Sequence, residues 1–393
     1  MSRNLAYVLD NGAYCAKVGL SNSNTPKVIP NCIMKAKSER RRLFVGDQLK
    51  ECRDASGLYY ILGYQKGYLV NWDVQKTVWD YIFSPECCPA NFAERPVILT
   101  EPMFNFPPIQ EGLTEIFFEE YDCQALLKIN APDLCAYKYR KATNCLCCVV
   151  VDMGYSFTHV IPYIKGKKYH PAIRRIDVGG KLLTNHLKDI ISYRQLNVMD
   201  ETYVVNQVKE DVCFVSQNFM EDMATARKRG EGNTIVREYV LPDYTTVRRG
   251  YIQDPTKKPD DDQQMLRLNN ERFAVPELLL NPSDIGIQQM GVPETVIESV
   301  SCCPEETIPH LLSNVIVVGG CGLFPGMRAR LLKELRALAP DDIHVNITIP
   351  DNPITYAWQG GAKLASDPQF MKMCIRRQEY EEVGPSAGVC VNK

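Results

Sequence analysis

Two strands that end in the same kind of turn constrain this chain more than any other feature. LAYVLDNG at 5–12 and CCVVVDMG at 147–154 share the pattern apolar–apolar–Asp–x–Gly, with Asp10 and Asp152 standing 142 residues apart. That separation exceeds any solenoid period, so it reads as one domain type occurring twice. Each turn leads into another strand-like stretch, AYCAKVGL after Asp10 and YSFTHVIPYI after Asp152. The result is two β-hairpins with tight glycine turns. A third unit, NVIVVGGCG at 314–322, is again a β-branched run closed by glycine.

Apolar residues recur at three and four in 109–128, 180–194, 203–219 and 326–338, and the spacing predicts helices there. Hairpins followed by helices indicate an α/β architecture. Residues 221–270 are polar and break the periodicity, with RKRGEGN (227–233) and DPTKKPDDDQQ (254–264) read as exposed loops. Residues 383–393 read as a loose tail. At 393 residues the chain has room for two or three domains and a large core.

Composition excludes several classes of function. Hydrophobic residues make up 45% and charged residues 23%, an ordinary globular mix rather than a disordered one. The net charge of −2 gives no global basic field for nucleic acid. No apolar run reaches the roughly 18 residues of a membrane span, and residues 1–9 lack a secretory h-region and cleavage site. The cytosol or the nucleus is therefore expected. There the 16 cysteines are most simply free thiols. Cys145, Cys147 and Cys148 lie in a run entering an apolar strand, with no second CxxC and few histidines, so they read as small buried hydrophobes. The Asn346-Ile347-Thr348 sequon sits in a strand-like run of a non-secreted chain and is set aside. Lys35, Lys37, Arg40, Arg41 and Arg42 form a basic stretch. It reads as a solvated loop, or as a contact for acidic protein, DNA or the nuclear-import machinery.

An acidic residue at a strand end beside glycine-rich backbone suits the binding of a polyphosphate. Two such hairpins can close on it from both sides, with backbone N–H groups on its oxygens and the carboxylates on a hydrated divalent cation. The candidate residues are Asp10, Asn11, Gly12 and Lys17 in the first hairpin, and Asp152 and Gly154 in the second. Gly180, Gly319 and Gly320 would admit the close approach of a nucleotide.

The order and spacing of these motifs resemble actin and its relatives, within the larger group that includes hexokinases and the heat-shock chaperone ATPases. LDNGAYCAKVGL and VVDMGYSFTHVIP resemble actin's two phosphate hairpins. QVKEDVCFVSQNF carries Lys209 and Glu210 at the pair near the adenine, and VIVVGGCGLFPGMRARLLKEL, with Phe324, resembles the adenosine motif. ITYAWQGGAKLASDPQFMKMCIRRQEYEE at 354–382 is similar to actin's final helices.

The resemblance implies an actin-like ATPase fold of two pseudo-symmetric lobes around a nucleotide cleft. Its first subdomain would be 1–30, 67–136 and 355–393, and its second a short cap at 31–66. Residues 137–177 and 276–354 would form the third, and 178–275 the fourth, with a charged insertion. ATP or ADP with Mg is the implied cofactor, its metal served by Asp10 and Asp152.

The departures from actin matter as much as the match. Actin's phosphate-contacting serine aligns with Ala13, and the glycine beside it with Tyr14. The second acidic residue of the second hairpin is Tyr155. The water-positioning glutamine falls at Asn130 or at Ala131. His159 matches actin's histidine, and its other reading is a packed strand residue with a satisfied ring. Hydrolysis needs an oriented water and stabilised developing charge, and these losses touch both, so no catalytic residue is expected. The stretch 35–53 replaces actin's apolar-tipped docking loop with a shorter, charged one. Charge there opposes burial in a neighbour, so a homopolymer is not expected.

Several segments, among them 59–83, 178–217 and 270–291, resemble the nuclear actin-related protein 6 subfamily. This implies a nuclear subunit, also found in the cytoplasm, of a chromatin remodeller of the SWR/SRCAP type. Such a machine exchanges a nucleosomal histone for its Z variant. The implied partners are a Snf-type ATPase, a zinc-finger HIT-type subunit, histones or the nucleosome, and heterochromatin protein one. The alternative is an actin-type ATP-binding protein with weak ATPase activity or a filament-forming role.

Overall fold

The computed structural model describes residues 5–256 and 263–388. Of the loop expected at 254–264 and the tail expected at 383–393, residues 257–262 and 389–393 lie outside the described residues.

Two six-stranded sheets carry the molecule, and they are built alike. In the first, strand Tyr7–Asn11 pairs antiparallel with Cys15–Leu20 and parallel with Val97–Glu101. Ala125–Asn130 and Ile375–Arg376 extend it on one side and Lys27–Pro30 on the other. In the second, Cys147–Met153 pairs antiparallel with Thr158–Ile164 and parallel with Val315–Val318. Both central strands are fully or almost fully buried β-branched and aliphatic runs, as strands covered on both faces should be. This repeated hairpin-plus-parallel-strand unit is the two-lobed α/β fold that the resemblance implies.

The helices Ala131–Thr143 and Tyr356–Leu364 pack between the two sheets. They approach so closely that a Cβ on Gly360 would stand 2.2 Å from the Leu134 carbonyl oxygen. Trp358 is buried there and donates its indole N–H to the Val8 carbonyl at 3.1 Å. Cys135, Val150, Ile316 and Tyr356 make a shared core at this junction. Two three-stranded sheets lie outside the main ones. One joins Leu43–Val45, Cys32–Lys35 and Tyr59–Leu62, and the other joins Tyr251–Ile252, Arg237–Val240 and Met265–Leu268.

The helices expected at 180–194 and 326–338 form over Gly180–Arg194 and Met327–Leu338. Two others are shorter than their expected spans. The helix in 109–128 runs over Pro107–Glu115, widens to a π turn at Ile116–Glu120 and stops before Asp122, which has a φ of 53°. Ala125–Lys128 then belong to the strand Ala125–Asn130, whose adjacent apolar residues, Ala125 to Leu127, mimic a helix face. The helix in 203–219 ends at Val212, and Phe219–Ala226 is a separate helix. The polar region 221–270 is not merely loop, because it contributes the three strands of the second small sheet. RKRGEGN is exposed apart from the partly covered Asn233, as expected. In the stretch 35–53, Arg40 and Arg41 are exposed.

Candidate functional site

A cleft of about 430 Å³ opens between the two hairpins. Its wall takes Asp10, Asn11, Gly12, Ala13, Tyr14 and Lys17 from the first hairpin, and Asp152, Gly154 and Tyr155 from the second. Gly180, Lys209, Glu210, Gly319, Gly320 and Phe324 complete the opposite end. Residues far apart in sequence thus meet in one cavity. The hairpins place them because each Asp sits next to last in its strand, with a bend soon after it.

In the first hairpin Asp10 and Lys17 are register partners and form an ion pair at 3.1 Å. Both side chains are largely buried, and Thr100 donates its hydroxyl to the second carboxylate oxygen of Asp10 at 2.8 Å. Burial opposes the charge on Lys17, but Asp10, with smaller contributions from Cys15 and Asp152, raises the Lys17 pKa on balance. Asn11 is the centre of a polar network. Its side-chain amide donates to Tyr64 Oη at 2.7 Å, and its side-chain oxygen accepts from Asn31 at 3.0 Å.

The second hairpin lacks that compensation. Burial, and then the charge of Asp10, push the Asp152 carboxyl up to about 6, with Lys17 offsetting only part of it. Its register partner is His159, which is buried and whose Nε2 has no hydrogen-bond partner. The ring packs edge-on against Phe157 at 4.5 Å, and burial holds it neutral with a pKa of about 3. His159 is therefore a packed strand residue, but not a satisfied one, and it does not line the cleft.

Asn130 does not face the cleft either. Its amide donates to the carbonyls of Glu101 and Pro102 at 3.1 and 2.9 Å, and its oxygen accepts from Lys168 at 2.6 Å. Of the two alternatives at this position it is Ala131 that lines the cavity. A methyl group there cannot hold a water.

Gly319 has a φ of 88°, and a Cβ on it would stand 2.4 Å from the Met153 carbonyl oxygen. Only glycine fits, and the backbone turns here from the strand into the cleft. Gly180 is different. A Cβ on it would meet nothing closer than 3.6 Å, and its N–H is already donated to the Gly154 carbonyl at 3.0 Å. It anchors the second hairpin rather than freeing an amide for a ligand. Lys209 likewise spends its ammonium on protein groups, the Thr184 hydroxyl at 2.9 Å and Asn206 Oδ1 at 2.8 Å. Burial lowers its pKa.

The two tyrosines decide what the cleft can hold. The Tyr14 and Tyr155 ring centroids are 4.9 Å apart, each ring springing from its hairpin turn. Tyr14 Oη accepts a hydrogen bond from Asn206 Nδ2 at 3.0 Å. The actin fold typically holds ATP or ADP with Mg, and the residues here fit it in part. The end lined by Gly319, Gly320 and Phe324 is an open, apolar-walled pocket suited to a flat base. The lane between the hairpins, where a polyphosphate would run, holds two rings and a lysine already paired with Asp10. That end does not fit the phosphates. Among the described residues no group of three or more His, Cys, Asp or Glu side chains is placed to hold a metal ion, and no helix is long and apolar enough to cross a membrane.

Sequence reasoning missed Asn206, Thr100 and Tyr64. Asn206 stands three residues before Lys209 on the helix Thr202–Val212, so helical spacing was the available signal. It also misread Cys145, which is not a fully buried hydrophobe. Cys145 is partly exposed, and the hydrogen bond from Cys148, with Arg140 close by, pulls its thiol down to about 6.

Comparison with known proteins agrees with this architecture. The family model described as Actin matches residues 1–393. Actin-related protein 6 of Drosophila melanogaster is 52% identical over 389 residues, covering 97% of this chain and 98% of its own. Actin-like protein ARP6 of Cryptococcus neoformans is 38% identical, with 96% and 82% covered. Actin-related protein 6 of Arabidopsis thaliana is 36% identical, with 96% of each covered. With an Actin model spanning the chain and full-length relatives of this name in an animal, a fungus and a plant, the chain belongs to the actin family, in its actin-related protein 6 group.

Proposed function

We propose that this chain is a non-catalytic nuclear subunit of a chromatin remodeller of the SWR/SRCAP type, which exchanges a nucleosomal histone for its Z variant. It serves in complex assembly and in engaging the nucleosome or its histones. A Snf-type ATPase supplies the hydrolysis, and a zinc-finger HIT-type subunit is a direct neighbour. Association with heterochromatin protein one belongs to the same reading, as does a secondary presence in the cytoplasm. No homopolymer is part of it.

The observation that carries the non-catalytic part is the contact of Tyr14 with Tyr155 in the phosphate lane, 4.9 Å between ring centroids. Hydrolysis needs a terminal phosphate, an oriented water and groups on the developing charge. Ala13 and Ala131 supply no hydroxyl or amide, and Asn130 is turned away. Each lost donor of this kind weakens a reaction by about 100-fold or more. The partner side is supported by the resemblance to the actin-related protein 6 group.

Two measurements test the reading. The tagged chain recovered from nuclear extract should bring with it a Snf-type ATPase and a zinc-finger HIT-type protein in stoichiometric amounts. The purified chain should release no phosphate from Mg-ATP above a buffer control. Recovery as a free monomer or a filament, or sustained phosphate release, would overturn it.

A further inference from the structure

In a cleft closed by two phosphate hairpins the polyphosphate itself ties the lobes together, because each hairpin binds it from one side. Here that lane is crossed by protein. We propose that Tyr14 and Tyr155 form a clasp that takes the place of a polyphosphate in joining the lobes, so that this cleft is held closed without a nucleotide. The inference rests on the non-catalytic reading of the same cleft and extends it to what the cleft binds.

The ring pair has the spacing of an attractive aromatic contact, 4.9 Å between centroids with the planes tilted by 32°. Tyr14 is also held at its far end. Its hydroxyl oxygen accepts from Asn206 Nδ2 at 3.0 Å, and that same amide donates to Glu210 at 2.8 Å. Asn206 Oδ1 accepts from Thr184 at 3.0 Å and from Lys209 at 2.8 Å. Asn206 is buried, so its orientation is fixed from every side. One side chain of the first hairpin is therefore anchored both to the second hairpin and to a helix beyond it.

The charges agree with this. Lys17, the cation of the first hairpin, is neutralised by Asp10 within its own lobe. Glu210 faces the Tyr14 hydroxyl through Asn206 and adds negative charge to the lane. The lane thus offers an anionic ligand little net attraction. Closure is reinforced away from the rings. Phe157 presses so closely on Gly67 that a Cβ there would stand 2.0 Å from its ring, and Arg175 Nη1 donates to Tyr68 Oη at 3.2 Å.

The experiment compares the full-length wild type with the double variant Tyr14→Gly, Tyr155→Asp. Thermal unfolding is followed after treatment with apyrase and EDTA and again with Mg-ATP, Mg-ADP or adenosine, and phosphate release is recorded on the same samples. The wild type is expected to melt at one temperature under all conditions. The double variant is expected to melt lower when stripped, and to bind Mg-ATP at least about tenfold more tightly than wild type. A wild type that loses stability on stripping, or that binds Mg-ATP as tightly as the variant, would overturn the clasp. Such binding without phosphate release leaves the non-catalytic reading intact, whereas phosphate release would remove that reading too. Should the double variant not fold, amide exchange of wild-type residues 11–16 and 154–157 decides. Protection that survives stripping supports the clasp, and protection lost on stripping refutes it.

Discussion

His159 stands opposite Asp152 across the second hairpin, at the register position that Lys17 holds opposite Asp10 in the first. The two hairpins are built alike, but only the first neutralises its carboxylate. Burial and the charge of Asp10 push Asp152 up to about 6, above its usual 3.8. A carboxyl with a raised folded pKa contributes stability that is present below the unfolded pKa and lost as pH rises through the folded one. Asp152→Asn is therefore expected to stabilise the protein by about 1–3 kcal/mol near pH 7.5 and to change little near pH 4. Urea unfolding at the two pH values measures this. An equal effect at both would show that the charge of Asp152 is not the cause.

His159 has the opposite sign. Its folded pKa is lowered to about 3 by burial, with Arg175 adding to the effect, against an ordinary 6.5. Stability from the neutral ring is present above about 6.5 and is lost as pH falls toward 3. Its Nε2 is also unpaired, which costs roughly 1–3 kcal/mol. His159→Phe, beside Phe157 and Phe104, is expected to raise stability modestly at neutral pH and much more near pH 4. Acid-unfolding midpoints of the two proteins compare directly, and an unchanged midpoint would mean the imidazole is solvated after all.

Among the cysteines, Cys145 should react first. Its thiol is held near 6 by hydrogen bonds with Cys148 and Thr143 and by Arg140, whereas burial pushes Cys303 and Cys321 up to about 11. Thiolate is the nucleophile, so alkylation at neutral pH should fall on Cys145 with half-maximal rate near pH 6. Peptide mapping after brief iodoacetamide treatment reads the site. Cys148→Ala removes the hydrogen bond that stabilises the thiolate, so it is expected to raise the pH midpoint and slow the reaction at pH 6. A midpoint that stays in place would assign the shift to the Thr143 hydrogen bond and Arg140 instead.

How much of this was legible in the sequence follows from what each feature needs. The helix Gly180–Arg194 was readable because its apolar residues keep a 3.6-residue period against a polar face. Ala125–Lys128 was misread because the strand is buried on both faces, so its apolar residues, Ala125 to Leu127, are adjacent and show no strand period. The strand at 265–268 hid in a polar region because only alternate residues face the core, the buried Leu266 and Leu268 around the exposed Arg267, and the strand at 237–240 hid because its first two residues, Arg237 and Glu238, are exposed and charged. In the site, Asp10, Asp152 and Gly319 were visible as strand-end residues beside a turn, each an intrinsically local signal. The bond from Asn206 to Tyr14 spans 192 residues and no local pattern encodes it.

Arg330 offers a stability test away from the cleft. It sits on the helix Met327–Leu338 and is almost wholly buried. Its guanidinium meets the buried Glu277 through two hydrogen bonds, at 2.8 and 3.2 Å, and reaches the Ser216 carbonyl at 2.6 Å. Removing one partner leaves an uncompensated buried charge, so Arg330→Met is expected to cost about 3–5 kcal/mol. Arg330→Met combined with Glu277→Leu should recover part of that loss, since no buried charge is then unpaired. Chemical denaturation of the three proteins closes the cycle, and additive losses would show that the pair is not coupled.

Glu201 ties two outer parts of the molecule together in a way that its position at a helix start does not suggest. It precedes the helix Thr202–Val212 at the N-cap, where an acidic side chain usually accepts from the helix's own free amides, yet it makes no such bond. Both carboxylate oxygens instead accept from the Gly57 N–H, at 2.9 and 3.0 Å. Gly57 has a φ of 57° and belongs to the segment joining the short helical turn Gly46–Glu51 to the strand Tyr59–Leu62. The contact thus joins the small sheet to the start of the helix Thr202–Val212, beside Tyr203 and Tyr244, which pack on the core of that sheet. A hydrogen bond to a charged acceptor contributes about 1.5–3 kcal/mol, and this one spans 144 residues, so its loss should loosen the small sheet from the helix before it unfolds the chain. Glu201→Ala is expected to speed protease cleavage within 50–58 severalfold while shifting the main unfolding transition little. Glu201→Gln, which keeps the reach and one acceptor but removes the charge, should fall between. Equal cleavage rates in all three proteins would mean that the two parts are held by Tyr203, Tyr244 and the Lys37–Asp200 ion pair instead.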